Sequence, residues 1–223
     1  MGFDMNAFSL AGKKAIVTGG AKKTGLCYGM AVALHDAGAE IVILDANSQV
    51  ENTVAELGGA KSGYHAVVAN LLDLNDLSNG FQQAISALGG RLDILVNGAG
   101  LQYRCPSEEF PEDAWDRIMG VNIKGVFFMS QLAGKVMLKQ GKGKIINIAS
   151  TNSFIGLRNM PAYVSSKGGV KQLTMALSSE WSGRGINVNA IAPGYMDTEM
   201  NVALTDPKNP KFTQQRYDGQ TAH

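Results

Sequence analysis

Three side chains able to handle protons stand at usable spacing in one stretch, Ser150-Thr-Asn-Ser-Phe-Ile-Gly-Leu-Arg-Asn-Met-Pro-Ala-Tyr163-Val-Ser-Ser-Lys167. Tyr163 and Lys167 are four residues apart, so on a helix they project from one face and their head groups can share a ligand. A free phenol titrates near pH 10. An ammonium within about 6 Å favours the ionised form, which makes Tyr163 a candidate general acid or base near neutral pH. Ser150 closes the apolar run at 144–150, where side chains at the end of a buried strand reach a ligand crevice. It can hydrogen-bond the substrate oxygen that Tyr163 protonates or deprotonates.

These side chains need a scaffold, and the hydrophobic pattern supplies one. Buried strands are predicted over 14–18, 40–45, 65–69, 93–97, 144–150 and 186–192. Between them helical periodicity runs over 26–37, 48–57, 74–88, 112–140 and from Tyr163 to about residue 181. Strands that alternate with helices, several apolar on both faces, predict an α/β fold with a parallel sheet flanked by helices on each side. The chain of 223 residues, 45% hydrophobic, suits one domain over 1–223.

Composition narrows the function classes. A formal charge of +1 gives no electrostatic reason to expect nucleic acid or an anionic membrane as partner. Residues 1–6 lack a basic region followed by an apolar one, and no segment approaches eighteen uninterrupted apolar residues, so neither export nor membrane spanning is expected. Cys27 and Cys105 are too few for a disulfide framework and suit a reducing cytoplasm. His35, His65 and His223 are scattered without ligand spacing, so no metal site is expected.

The turn after the first strand reads Gly19-Gly20-Ala21-Lys22-Lys23-Thr24-Gly25. Glycines there let backbone N–H groups and a helix N-terminus approach a pyrophosphate. Some twenty residues beyond Gly25, Asp45 closes the second strand, where an acid accepts hydrogen bonds from adenosine ribose hydroxyls. That carboxylate favours NAD over NADP, whose 2′-phosphate it would repel. Lys22 and Lys23 pull the other way, and Asp45 is weighed more heavily.

With these residues assembled, the chain resembles the short-chain dehydrogenase/reductase family from about residue 8 to residue 200. The landmarks are Thr18-Gly19, Asn97-Gly98-Ala99-Gly100, Asn122, Ser150, Tyr163, Lys167, Pro193-Gly194 and Thr198, with Ser150 thirteen residues before Tyr163. The segments at 8–13, 125–131, 143–150 and 185–196 are similar to its sugar-acid branch of gluconate and deoxygluconate dehydrogenases. The resemblance implies a Rossmann-type doubly wound sheet, a nicotinamide cofactor, a small-molecule substrate and a homo-oligomer, dimer or tetramer. It implies that Tyr163 exchanges a proton with the substrate oxygen, that Ser150 positions that oxygen, and that Lys167 depresses the tyrosine pKa while holding ribose hydroxyls. Asn122 would hold a water that relays protons toward Lys167. Gly19, Thr24, Gly25 and Leu26 would meet the pyrophosphate, and Asp45 the ribose. Asn70 would lie near the adenine and Asn97 and Ala99 against the adenosine side, with Leu71 and Gly100 also among the cofactor-binding residues. Pro193, Gly194 and Thr198 would lie near the carboxamide or phosphates.

Two departures stand out. Counted forward from Thr18, the family's Gly-x-x-x-Gly-x-Gly puts Lys23 at the second glycine and Gly25 at the third. Counted back from Gly38, it puts Gly25 second and Cys27 third, with two extra loop residues. The second register is preferred, because a loop absorbs an insertion better than a helix does. Beyond Thr198 the family carries further helices and a seventh strand, whereas here only residues 199–223 follow, so the last strand and helix are expected to be missing. Truncation and replacement of that edge both remain open.

The leading function is alcohol–ketone oxidoreduction on a sugar acid or polyol, with Arg104 and Arg158 as candidates to grip a carboxylate. A non-catalytic dinucleotide-binding sensor or partner subunit is the alternative. A serine hydrolase is disfavoured by the absence of a Gly-x-Ser-x-Gly elbow.

Overall fold

The computed structural model describes residues 5–196. Thr198 and the expected loss of the last strand and helix lie outside the described residues.

Six strands form one parallel sheet: β1 Lys14–Thr18, β2 Glu40–Asp45, β3 Tyr64–Val68, β4 Ile94–Asn97, β5 Gly143–Ile148 and β6 Ile186–Ile191, in the spatial order β3-β2-β1-β4-β5-β6. This is a Rossmann-type doubly wound order, and its direction reverses between β1 and β4. The helices are α1 Leu26–Asp36, α2 Gln49–Glu56, α3 Leu74–Ala87, α4 Glu112–Met119, α5 Val126–Gln140 and α6 Pro161–Trp181.

Side chains alternate across each strand, so one run of apolar residues feeds two cores. Ala15, Val17, Ile41, Ile43, Ile94 and Val96 pack under α1 and α2 with Ala31, Val50 and Val54. Ile16, Val42, Leu44, Leu95, Ile145 and Val188 pack on the other face with Leu77, Phe81, Met129, Met137 and Trp181 of α3, α5 and α6. Burial on both faces is why these strands read as continuous hydrophobic runs.

Local chemistry sets the helix ends. Asp73 caps α3, its carboxylate accepting from the Asn75 and Asp76 amides at 2.8 and 3.2 Å. Pro161 starts α6, where its missing N–H costs nothing. Gly141 ends α5 in the left-handed region at φ +70°.

The helix predicted over 112–140 is not continuous. A π-helical turn, Gly120–Gly125, separates α4 from α5. A Cβ on Gly125 would stand 3.1 Å from the Leu71 Cβ, so glycine lets this turn press against the β3–α3 connection. The π turn also carries Asn122 inward.

Candidate active site

A cleft of about 760 Å³ opens at the C-terminal ends of the strands, where the sheet order reverses. Its size falls within the range of small-molecule and cofactor sites, roughly 300–1,000 Å³. It runs from Asp45 and Asn70 at one end to Ser150, Tyr163 and Lys167 at the other.

At the first end, Thr18 organises two loops. Its hydroxyl accepts from the amides of Gly98 and Ala99 at 3.0 and 3.2 Å. Gly19 adopts φ +82°, and a Cβ there would lie 2.7 Å from the Ala99 Cα, so both conformation and space require glycine. The loop closes on itself at its end, with the Gly25 amide donating to the Lys22 carbonyl at 2.9 Å. Helix α1 then begins at Leu26. Asp45 accepts from the Ala21 amide at 3.0 Å and the Asn47 amide at 2.9 Å, which aims its carboxylate and ties the loop to β2.

Ser150 is 6% exposed and caps the 3₁₀ turn Thr151–Ser153 just past β5. Its hydroxyl accepts from the Asn152 amide at 3.1 Å, while its amide donates to Ser153 Oγ at 3.2 Å. Tyr163 and Lys167 share one face of α6, as their spacing predicts, with the ammonium 5.7 Å from the phenol ring centroid. Lys167 is 5% exposed, and its Nζ donates to the Ile148 carbonyl at 2.6 Å. Burial brings its pKa down to about 8.

Tyr163 departs from expectation. Its pKa is raised by burial, against the lowering effects of the Ser150 hydroxyl and the Arg104 guanidinium, with the Tyr195 phenol adding to the rise. Lys167 does not hold this phenol below its ordinary value here. The observed partner of the buried ammonium is instead the Ile148 carbonyl, with the Cys27 thiol only a minor influence that opposes the effect of burial.

Asn122 is fully buried behind the cleft wall. Its carbonyl accepts from the Leu101 amide at 2.7 Å, and its amide donates to the Leu101 carbonyl at 2.9 Å and Ser166 Oγ at 3.1 Å. These three bonds brace the loop after β4 against α6.

Of the other predicted site residues, Gly19, Thr24, Gly25, Leu26, Asp45, Asn70, Leu71, Ala99, Gly100, Pro193 and Gly194 line the cleft. Asn97 does not. Its carboxamide points into the core and donates to Ser130 Oγ and Asn147 Oδ1, both at 2.9 Å, because β4 is central and its end lies between α5 and β5. Arg104 lines the cleft near Tyr163 and Tyr195, and burial disfavours its charge. Arg158 is exposed and stands outside the cleft. Sequence reasoning did not select Cys27, Leu101, Met160 or Tyr195 as lining residues. The register counted back from Gly38 was the signal available for Cys27.

The geometry fits a dinucleotide. A glycine turn and a helix N-terminus provide for the pyrophosphate, a fixed carboxylate for a ribose, and a buried proton-handling cluster stands at the far end of one unbroken cleft. No helix among the described residues is long and apolar enough to cross a membrane.

The comparisons agree with that geometry. The model of the short chain dehydrogenase family matches residues 13–209. The chain is 45% identical over 195 residues to 2-dehydro-3-deoxy-D-gluconate 5-dehydrogenase of Escherichia coli (strain K12), covering 87% of this chain and 76% of that protein. The structure of a gluconate 5-dehydrogenase from Burkholderia cenocepacia J2315 in complex with NADP and tartrate superimposes with a TM-score of 0.85 at 34% identity, covering 94% of this chain and 80% of the other. A 3-ketoacyl-(acyl-carrier-protein) reductase from Brucella melitensis complexed with NADH gives 0.81 at 32% identity, covering 86% and 79%. The chain belongs to the short chain dehydrogenase family. It is an NAD(P)-dependent oxidoreductase acting on CH–OH groups.

Proposed function

We propose that this protein interconverts a secondary alcohol and a ketone on a sugar acid, or a related polyol, with NAD as the preferred dinucleotide. The observation that carries this reading is the convergence of Ser150, Tyr163, Lys167 and Arg104 at one end of a cleft whose other end is closed by Asp45.

The nicotinamide ring, when bound, gives or takes the hydride. Ser150, fixed by its capping bonds, orients the substrate oxygen. Tyr163 gives that oxygen a proton in the reducing direction and takes it in the oxidising direction. Its raised pKa keeps the phenol loaded for reduction, while Ser150 and Arg104 favour the ionised form that oxidation requires. Lys167, mostly charged at neutral pH, offers an ammonium to ribose hydroxyls. Asn122 serves as a positioning residue through Leu101 and Ser166. Leaving an arginine partly desolvated is costly unless an anion pairs with it. Arg104 is therefore the group we assign to the substrate carboxylate.

The names of relatives support a sugar acid, since one acts on 2-dehydro-3-deoxy-D-gluconate and another on gluconate. For the cofactor, the fixed carboxylate of Asp45 supports NAD, although Lys22 also lines the cleft and the Burkholderia relative holds NADP. Nothing supports the non-catalytic alternative. Assembly as a homo-oligomer, a single domain over 1–223 and a cytoplasmic location belong to the same reading.

The test is a panel of sugar acids and matching neutral polyols assayed with NAD and NADP for absorbance of the reduced dinucleotide. Turnover of an acid with NAD at higher kcat/KM than with NADP is expected. Tight dinucleotide binding without reduction by any member would overturn the enzymatic reading of this cleft.

A further inference from the structure

Cys27 is the second residue of α1 and is 7% exposed, yet it belongs to the cleft wall. It stands at the point where the helix N-terminus comes nearest to the loop after β4. A Cβ built on Gly98 would overlap the Cys27 sulfur outright, whereas it would stand 3.5 Å from the Cys27 Cβ, an ordinary contact, and 3.1 Å from the Thr18 carbonyl oxygen. The sulfur therefore fills the space that a side chain on residue 98 would occupy.

The third glycine of a dinucleotide loop normally permits close helix–strand packing. Here a side chain has taken that position on the helix, and the facing loop residue has none. The same floor includes Gly19, whose own missing Cβ admits Ala99. Three elements, the β1 loop, the β4 loop and the first turn of α1, thus meet with almost no spare volume beneath the place where a pyrophosphate approaches a helix N-terminus.

We propose that Cys27 and Gly98 are a matched pair that sets the floor of the dinucleotide cleft, with the Cys27 side chain replacing bulk on the facing loop. Cys27 acts as a packing residue and not as a nucleophile. Burial pushes its thiol up to about 11, so it stays neutral and adds no negative charge beside a pyrophosphate.

The proposal rests on the dinucleotide reading of this cleft, and a double-mutant cycle separates the two. Wild type, Gly98→Ala, Cys27→Ala and the double variant are titrated with NADH and with NADPH by fluorescence, and their melting temperatures are measured without cofactor. Cys27→Ala removes the sulfur and keeps a good helix former, so it guards against simple failure to fold. With Cys27 in place, Gly98→Ala is expected to weaken dinucleotide binding at least tenfold and to lower the melting temperature. Made on top of Cys27→Ala, the same change is expected to alter binding by less than about threefold, since the sulfur overlap is gone and what remains is an ordinary contact with the Cβ of residue 27 and a 3.1 Å approach to the Thr18 carbonyl oxygen that a shift of a few tenths of an ångström relieves. Equal losses in both backgrounds, or no loss beside Cys27, would overturn the pairing. Failure of the wild type to bind either dinucleotide would instead overturn the reading on which the pairing rests.

Discussion

Replacing Lys167 with methionine is expected to abolish catalysis while leaving the unliganded fold about as stable as before. Lys167 is 5% exposed, and burial shifts its ammonium from 10.5 to about 8. That displacement corresponds to roughly 3 kcal/mol disfavouring the charged form at neutral pH. Methionine fills similar space without charge. Against this stands the loss of the 2.6 Å bond from Nζ to the Ile148 carbonyl, which costs about 1–3 kcal/mol once the carbonyl is left without its donor. The two nearly cancel at pH 7.

The pH dependence gives this a sharper form. Between about 8 and 10.5 the unfolded chain still holds the lysine proton while the folded chain has released it, so wild-type stability rises with pH across that window. From pH 8 to 9 the gain is about 1 kcal/mol. Above about 9 the raised Cys27 thiol opposes the trend, and above about 10 the raised Tyr64 and Tyr163 phenols join it, because the unfolded chain then loses those protons first. Urea unfolding followed by circular dichroism at pH 7, 8 and 9 on both proteins isolates the lysine by difference. A methionine variant destabilised by several kcal/mol at pH 7, or one whose stability rises from pH 8 to 9 as much as the wild type's, would refute the reasoning.

Two further outcomes follow from the same geometry. Asp45→Asn keeps one of the two acceptor oxygens that hold the loop amides and removes the charge, so preference is expected to shift toward NADP by about tenfold, measured as the ratio of kcat/KM for the two dinucleotides. Arg104→Ala is expected to raise KM for a sugar acid at least about tenfold while leaving KM for a neutral polyol within about threefold, because only the acid needs a cationic partner.

Much of this architecture was legible because its signals are local. The strands fall where the apolar runs end in Thr18, Asp45 and Asn97, and the spacing of Tyr163 and Lys167 places them on one helix face. What was not legible depends on the third dimension. The π turn at Gly120–Gly125 inserts a wider turn without disturbing the apolar period of 112–140, so the pattern read as one helix. Asn97 sits at a strand end that faces the cleft, yet Ser130 and Asn147 draw its side chain into the core. Arg104 and Arg158 were equivalent as cations until the fold placed one in the cleft and one outside it. The direction of the Tyr163 shift depends on how much water its neighbours exclude, which spacing does not encode.

The central claim is that the Tyr163 hydroxyl transfers the proton that accompanies hydride exchange. Single-turnover reduction of NAD by a sugar acid, measured on a folded Tyr163→Phe variant alongside its affinity for the dinucleotide, tests it most directly. The expected result is a rate lower by about 10²–10⁴ with binding little changed. A rate equal to wild type in a variant that binds the dinucleotide normally would contradict it.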